Sequence, residues 1–264
     1  MSIGKWIGGI LGFIALGPLG ALAGIALGSL FEAGVNQAGS FMGGTGYDNG
    51  PTSGNQFEGE RNSFLFSLLV MASYIIRADG RIMHSEMEFV RQFLRRNFGE
   101  IAVRQGEDIL LRLFEEAKRM DREHPMGFRQ TIRECGAQIA YNMSYEERLQ
   151  LLAFLAEIAK SDGHVCPAEI DALKEVANAL GLSEREIESM LNLCGDSLED
   201  AYKVLEIEPT ATDDEVRAAY RRMAVKHHPD KVANLGEDIR KAANEKLQKI
   251  NEAKERIYKA RGMK

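Results

Sequence analysis

The sequence predicts an all-α protein made of an N-terminal transmembrane helix, a helical repeat domain and a C-terminal helical hairpin. Three observations lead there. Residues 6–31 form one uncharged run, apolar residues from Arg61 to Leu193 recur at helical spacing with few Gly or Pro, and two amphipathic stripes near the C-terminus flank a His-Pro-Asp tripeptide. No convincing period-two alternation marks a strand in the middle region. The 264 residues carry 33 basic and 39 acidic side chains, net −6, and 16 of the 26 glycines lie within residues 1–59. That balance argues against general nucleic-acid binding, which needs an excess of Lys and Arg to neutralise phosphates. Cys135, Cys166 and Cys194 are odd in number and lack a CxxC spacing, which favours reduced thiols in a cytosolic compartment over disulfides or a metal site.

After a short tail (residues 1–5), Trp6 to Phe31 gives 26 uncharged residues bounded by Lys5 and Glu32. As a helix this run would span about 39 Å, enough to cross a hydrocarbon core of about 30 Å. A single transmembrane span is therefore expected. Gly20, Gly24 and Gly28 recur on one helix face, where the missing side chains would let a second backbone approach, so a homodimer through this segment is also expected. The glycines and Pro18 weaken insertion relative to a Leu-rich span. They leave open a re-entrant hairpin breaking at Gly17-Pro18, or a signal peptide cleaved after Ala21-Leu22-Ala23. A buried soluble helix is disfavoured because glycine has poor helix propensity in water. Residues 32–60 have no Lys or Arg and are dense in Gly, Ser and Asn. They predict a flexible linker with a reach of about 30 Å.

The middle, residues 61–193, contains a repeat at an offset of 83: Asp79-Gly80 matches Asp162-Gly163, Ile82 matches Val165, and Glu86 matches Glu169. Each unit reads as an apolar helix, an Asp-Gly turn and a capped second helix, with Ser85 and Glu88 as a capping box and Pro167 at a first helical position. The Asp-Gly-to-Glu spacing matches half of an EF-hand loop. However, loop positions one and three are Ile75 and Arg77 in the first unit and Ile158 and Lys160 in the second, so the usual calcium site cannot form. Two readings of the acidic residues remain: a divalent-metal site where the loops face each other (Asp79, Glu86, Asp162, Glu169), or turn and helix-end capping. His164 and Cys166 flank the second turn without equivalents in the first. No nucleophile with a spaced base, phosphate loop or zinc signature is present, so no enzyme is expected. The two Asp-Gly turns with Glu86 and Glu169 resemble the TerB family. That resemblance implies a two-fold helical domain associated with tellurite resistance and envelope stress, and makes a divalent metal the one cofactor to consider.

From Asp196 onward there are 15 basic and 14 acidic residues, net +1 against −7 upstream, which marks a boundary before a domain at 197–264. A short helix ends before Pro209, and Thr212 to Glu215 opens a longer one as a capping box. Val216, Ala219, Tyr220, Met223 and His227 form its packing stripe, while Arg217, Arg221, Arg222 and Lys226 cluster opposite. Pro229 pushes His228 out of helical geometry, so His228-Pro229-Asp230 with Lys231 is predicted as an exposed, rigid loop. A closing helix carries Ile239, Ala243, Leu247, Ile250, Ala253 and Ile257, spaced to pack antiparallel on its predecessor. The YKVLEI opening, the AAYRRMAVKHHPDK core and the KINEAKERI close resemble the J-domain of the DnaJ family.

That resemblance implies that His228, Pro229, Asp230 and Lys231 engage the ATPase domain of a DnaK-type Hsp70. Arg217, Arg221, Arg222 and Lys226 would meet its acidic surface, and Asp230 would reposition an arginine at its interdomain junction. Hydrolysis would occur in the partner. The stretch Val232–Asp238 lengthens the loop relative to an ordinary DnaJ. Taken together, the three regions resemble the DjlA-type membrane-anchored DnaJ-like co-chaperones. The family implies a single-pass protein of the bacterial inner membrane with both folded domains in the cytoplasm, although Lys5 weakly favours the opposite orientation. The alternative is a metal-responsive envelope-stress sensor using the J-domain as an output or docking arm.

Overall fold

The computed structural model describes residues 17–34, 53–163, 165–192, 195 and 197–263. In chain order the helices are α1 (Pro18–Gly34), α2 (Ser53–Ile75), α3 (His84–Phe98), α4 (Glu100–Glu123), α5 (Gly127–Asn142), α6 (Tyr145–Ala159), α7 (Pro167–Ala179), α8 (Glu184–Asn192), α9 (Leu198–Val204), α10 (Asp213–Lys226), a 3-10 segment (Pro229–Leu235) and α11 (Glu237–Arg261). No strand occurs among the described residues, as the periodicities predict.

Gly17 has φ +89° and is followed by Pro18, which has no N–H to donate, so α1 starts there. The first residues of the helix expected over 6–31 lie outside those described. Among the described residues, no helix is long and apolar enough to cross a membrane. Leu19, Leu22, Ala23 and Ala26 are buried, and α1 packs on α4 and α5. The structure corrects the end of the expected linker: α2 begins at Ser53, inside the stretch 32–60. Adding turns to a formed helix gains a hydrogen bond per residue without a new nucleation cost.

The run from Phe64 to Ala72 is buried at every position. A helix apolar all round belongs at a centre, and α2 accordingly contacts α4, α5, α6, α7 and the 3-10 segment. The repeat is structural. Gly80 and Gly163 adopt φ +80° and +86°, left-handed conformations open to glycine. Their N–H groups donate to Arg77 O and Lys160 O at 3.0 and 2.9 Å. Where Ser85 and Glu88 were expected to cap α3, Glu86 instead accepts the Met83 N–H at 3.0 Å, and its repeat mate Glu169 accepts the Cys166 N–H at 2.7 Å. Helix α3 starts one residue before Ser85, so Glu86 occupies the third position that a reciprocal cap needs. Pro167 opens α7 as expected.

In the C-terminal domain Thr212 and Glu215 form the expected box, the Glu215 N–H reaching Thr212 Oγ1 at 3.3 Å and Thr212 N–H reaching Glu215 Oε2 at 2.7 Å. Val216, Ala219 and Met223 of α10 pack with Ile250, Ala253 and Ile257 of α11 and with Ala201, Tyr202, Val204 and Leu205. The rest of the α11 stripe departs from expectation. Ile239 and Ala243, with Val232 and Leu235 of the 3-10 segment, join the core of the middle region. One helical stripe thus serves two cores.

Candidate functional site

Helix α10 ends at His227, whose N–H still bonds to Met223 O at 3.0 Å. His228 then turns extended (φ −67°, ψ 129°), and Pro229 opens the 3-10 segment. The Asp230 N–H donates to His228 Nδ1 at 3.3 Å, and the Lys231 N–H donates to His228 O at 3.0 Å. With Nδ1 accepting, the neutral ring carries its proton on Nε2. Half of the His228 side chain and 74% of that of Asp230 remain exposed. The tip therefore presents an imidazole donor and a carboxylate acceptor at a fixed relative angle.

The basic residues divide. Arg221 and Arg222 are exposed, and Arg217 pairs with Asp214 on its own helix, at 3.0 Å. Lys226 is diverted: its ammonium lies 2.8 Å from both Glu186 of α8 and Glu206, and 5.5 Å from the centre of the Tyr145 ring. Lys231 lies 3.2 Å from Glu146 of α6, and Asn234 Nδ2 donates to Glu147 Oε1 at 2.7 Å. Behind this seam, Lys246 of α11 is 5% exposed with Gln150 Oε1 3.5 Å away. Burial pushes its pKa down to about 7, with Lys226 acting in the same direction and Glu157 opposing. His227 is also buried, and its Nε2 has no hydrogen-bond partner among the described residues. Desolvation, then Lys246 and Lys226, depress its pKa, which favours the neutral ring.

Sequence reasoning missed this seam. The one available signal was Val232 and Leu235, two apolar residues three apart in an otherwise polar loop extension.

Three of the four candidate metal ligands are engaged otherwise. Asp79 Oδ1 accepts the Arg81 N–H at 2.8 Å within its own turn, and Glu86 and Glu169 cap their helices. Among the described residues no three His, Cys, Asp or Glu side chains gather closely enough to hold an ion. The carboxylates do sense one another. Burial, followed by the charges of Glu169, Asp79 and Asp162, pushes Glu86 up to about 7, with the Met83 N–H opposing. Cys166 is a free thiol and His164 lies outside the described residues. On α1, Gly24 faces open space, with Gly20 and Gly28 one turn to either side.

Comparison with known proteins divides the chain along the same lines. The family profile of the DnaJ domain matches residues 200–261, that of tellurite resistance protein TerB residues 66–192, and that of the co-chaperone DjlA transmembrane domain residues 1–38. The chain is 28% identical to co-chaperone protein DjlA of Photobacterium profundum over 99% of each chain. It is 27% identical to that of Coxiella burnetii over 99% of this chain and 98% of the relative. With the Vibrio cholerae protein it shares 28% identity over 99% of each. No solved structure matches the chain. This is a co-chaperone family and not an enzyme family. With all three profiles in family order and full-length relatives of one name, the chain belongs to the DjlA-type membrane-anchored J-domain co-chaperones, with a TerB-like central domain.

Proposed function

We propose that the protein recruits a DnaK-type Hsp70 to the inner membrane through its C-terminal domain and stimulates ATP hydrolysis by that partner. The observation that carries this reading is the exposed His228-Pro229-Asp230 tip, held rigid by its own backbone bonds beside the outward-facing Arg221 and Arg222. An imidazole donor and a carboxylate at fixed angle can redirect a hydrogen-bond network in a docked protein, and the cationic face orients the encounter with an acidic surface. In a single-turnover assay the full chain should accelerate ATP hydrolysis by DnaK, and His228→Gln should bring the rate back to that of DnaK alone. Equal stimulation by the variant would overturn the mechanism. A homodimer through the Gly20, Gly24, Gly28 face of the anchor, and placement of both folded domains in the cytoplasm, belong to the same proposal.

A second reading, metal sensing by the TerB-like domain, draws on the mutual field of Glu86, Glu169, Asp79 and Asp162. It requires that a divalent ion raise the unfolding temperature and that Asp79→Ala or Asp162→Ala remove the gain.

A further inference from the structure

The residues that should greet an Hsp70 do not all face solvent. Lys226 and Lys231, on either side of the His-Pro-Asp tip, each meet a carboxylate of the TerB-like domain. For Lys226 this is Glu186 at 2.8 Å, and for Lys231 it is Glu146 at 3.2 Å. The Lys226 side chain is only 15% exposed and that of Glu186 only 4%. Between them runs a continuous seam. Tyr145 lies under Lys226, Glu147 receives Asn234, and Gln150 faces Lys246. The apolar side chains Val232, Leu235, Ile239 and Ala243 insert into the core of the TerB-like domain.

We propose that the α5–α6 corner, with Glu146 and Glu147 at the start of α6, and Glu186 on α8 form an internal docking surface for the J-domain that competes with Hsp70. The surface imitates the partner's chemistry by placing carboxylates where cations expect an acidic face. The inference rests on the reading of the tip as an Hsp70 contact. The docked state leaves His228 and Asp230 open, yet a second protein closing over Lys231 must displace Glu146. The J-domain follows α8 by a few residues, and a short tether holds surfaces together at about millimolar effective concentration. A contact that alone would bind at only about 100 µM is then closed about nine times in ten. The extension Val232–Asp238 gains a role here, since its apolar residues are what the TerB-like domain holds. Full co-chaperone activity requires the seam to open.

Two variants loosen the seam from opposite sides without touching the tip. Glu146→Lys places a cation against Lys231, and Asn234→Asp places a carboxylate against Glu147. Each is made in the full chain, reconstituted in nanodiscs, and assayed for DnaK ATPase stimulation at sub-saturating co-chaperone. In parallel, amide hydrogen exchange is followed over residues 143–150 and 229–243. The expected result is stimulation raised about three- to tenfold over the parent in both variants, with faster exchange in those two segments. His228→Gln should abolish the gain in either background. His228-dependent stimulation identical in all three chains, with unchanged exchange, overturns the internal docking surface and leaves the proposed function standing. Absence of His228-dependent stimulation in every chain overturns the function, and with it the competition.

Discussion

Glu86 is the residue where capping, burial and charge meet. Its carboxylate accepts the Met83 N–H at 3.0 Å while the residue is only 3% exposed and faces three other acids. Its pKa is raised from its ordinary value to about 7 in the folded chain, so the native state holds this proton more tightly than the unfolded chain does. The stabilisation is present in full below about pH 4.5 and is lost as pH rises through about 7. Glu86→Gln keeps an oxygen for the Met83 N–H and removes the charge. The variant should match the parent near pH 4 and exceed its stability by about 2 kcal/mol at pH 8, at about 1.4 kcal/mol per pKa unit discounted for relaxation. Thermal unfolding at the two pH values measures this, and a variant no more stable at pH 8 would contradict the raised pKa. The sequence made Glu86 visible as a repeat mate of Glu169. It did not decide between ligand and cap, because that choice depends on where α3 starts, and helix ends are the part of a helix that periodicity specifies least.

At the scale of the element, α11 shows what a hydrophobic stripe can and cannot say. The spacing of Ile239, Ala243, Ile250, Ala253 and Ile257 marks one buried face, and that much was legible. The partner of each half was not. Ile250 and its C-terminal neighbours pack on α10 and α9, while Ile239 and Ala243 pack with the TerB-like domain. Burial against either neighbour removes the same apolar area from water, so pattern alone cannot assign it. The two halves should therefore respond differently to truncation. Ile250→Ala, at 0% exposure, should cost about 2–4 kcal/mol within the hairpin and reduce DnaK stimulation by unfolding the J-domain. Ile239→Ala, at 1% exposure, should cost a similar amount, also about 2–4 kcal/mol, at the interdomain seam. It should leave the hairpin folded and increase hydrogen exchange over residues 229–243. Loss of stimulation in both variants alike would show a single cooperative core. The fold class, the repeat, the two Asp-Gly turns and the exposed tip followed from local chemistry. The seam did not, because Glu146 lies 85 residues before Lys231 and Glu186 lies 40 before Lys226, and none of the four is unusual on its own.

For the whole molecule the open quantity is which way the chain faces. The N-terminal helix is apolar on both sides of α1. Leu19, Leu22 and Ala26 face α4 and α5, while Ala21, Gly24 and Ile25 face outward. Gln138 ties the start of α1 to α5 by accepting the Leu19 N–H at 3.0 Å. An anchor of this build can rest one face on its own domain and offer the other to lipid or to a second copy. At 17 residues α1 spans about 26 Å, less than a hydrocarbon core of about 30 Å, so the residues before Gly17 must contribute to any complete crossing. Charge gives little guidance on direction, since Lys5 is the lone basic residue before Arg61 and one lysine biases insertion weakly. The proposed function gives more: a tip acting on an ATP-charged Hsp70 is useful only where ATP is, so that proposal requires the TerB-like and J-domains in the cytoplasm and Met1 across the membrane. In spheroplasts expressing a C-terminally tagged chain, external protease should leave the tagged fragment from residue 61 onward intact, and the same protease should degrade it after lysis. Degradation without lysis would place the J-domain in the periplasm, away from any ATP-dependent partner, and would overturn the sidedness and the proposed Hsp70 activity together.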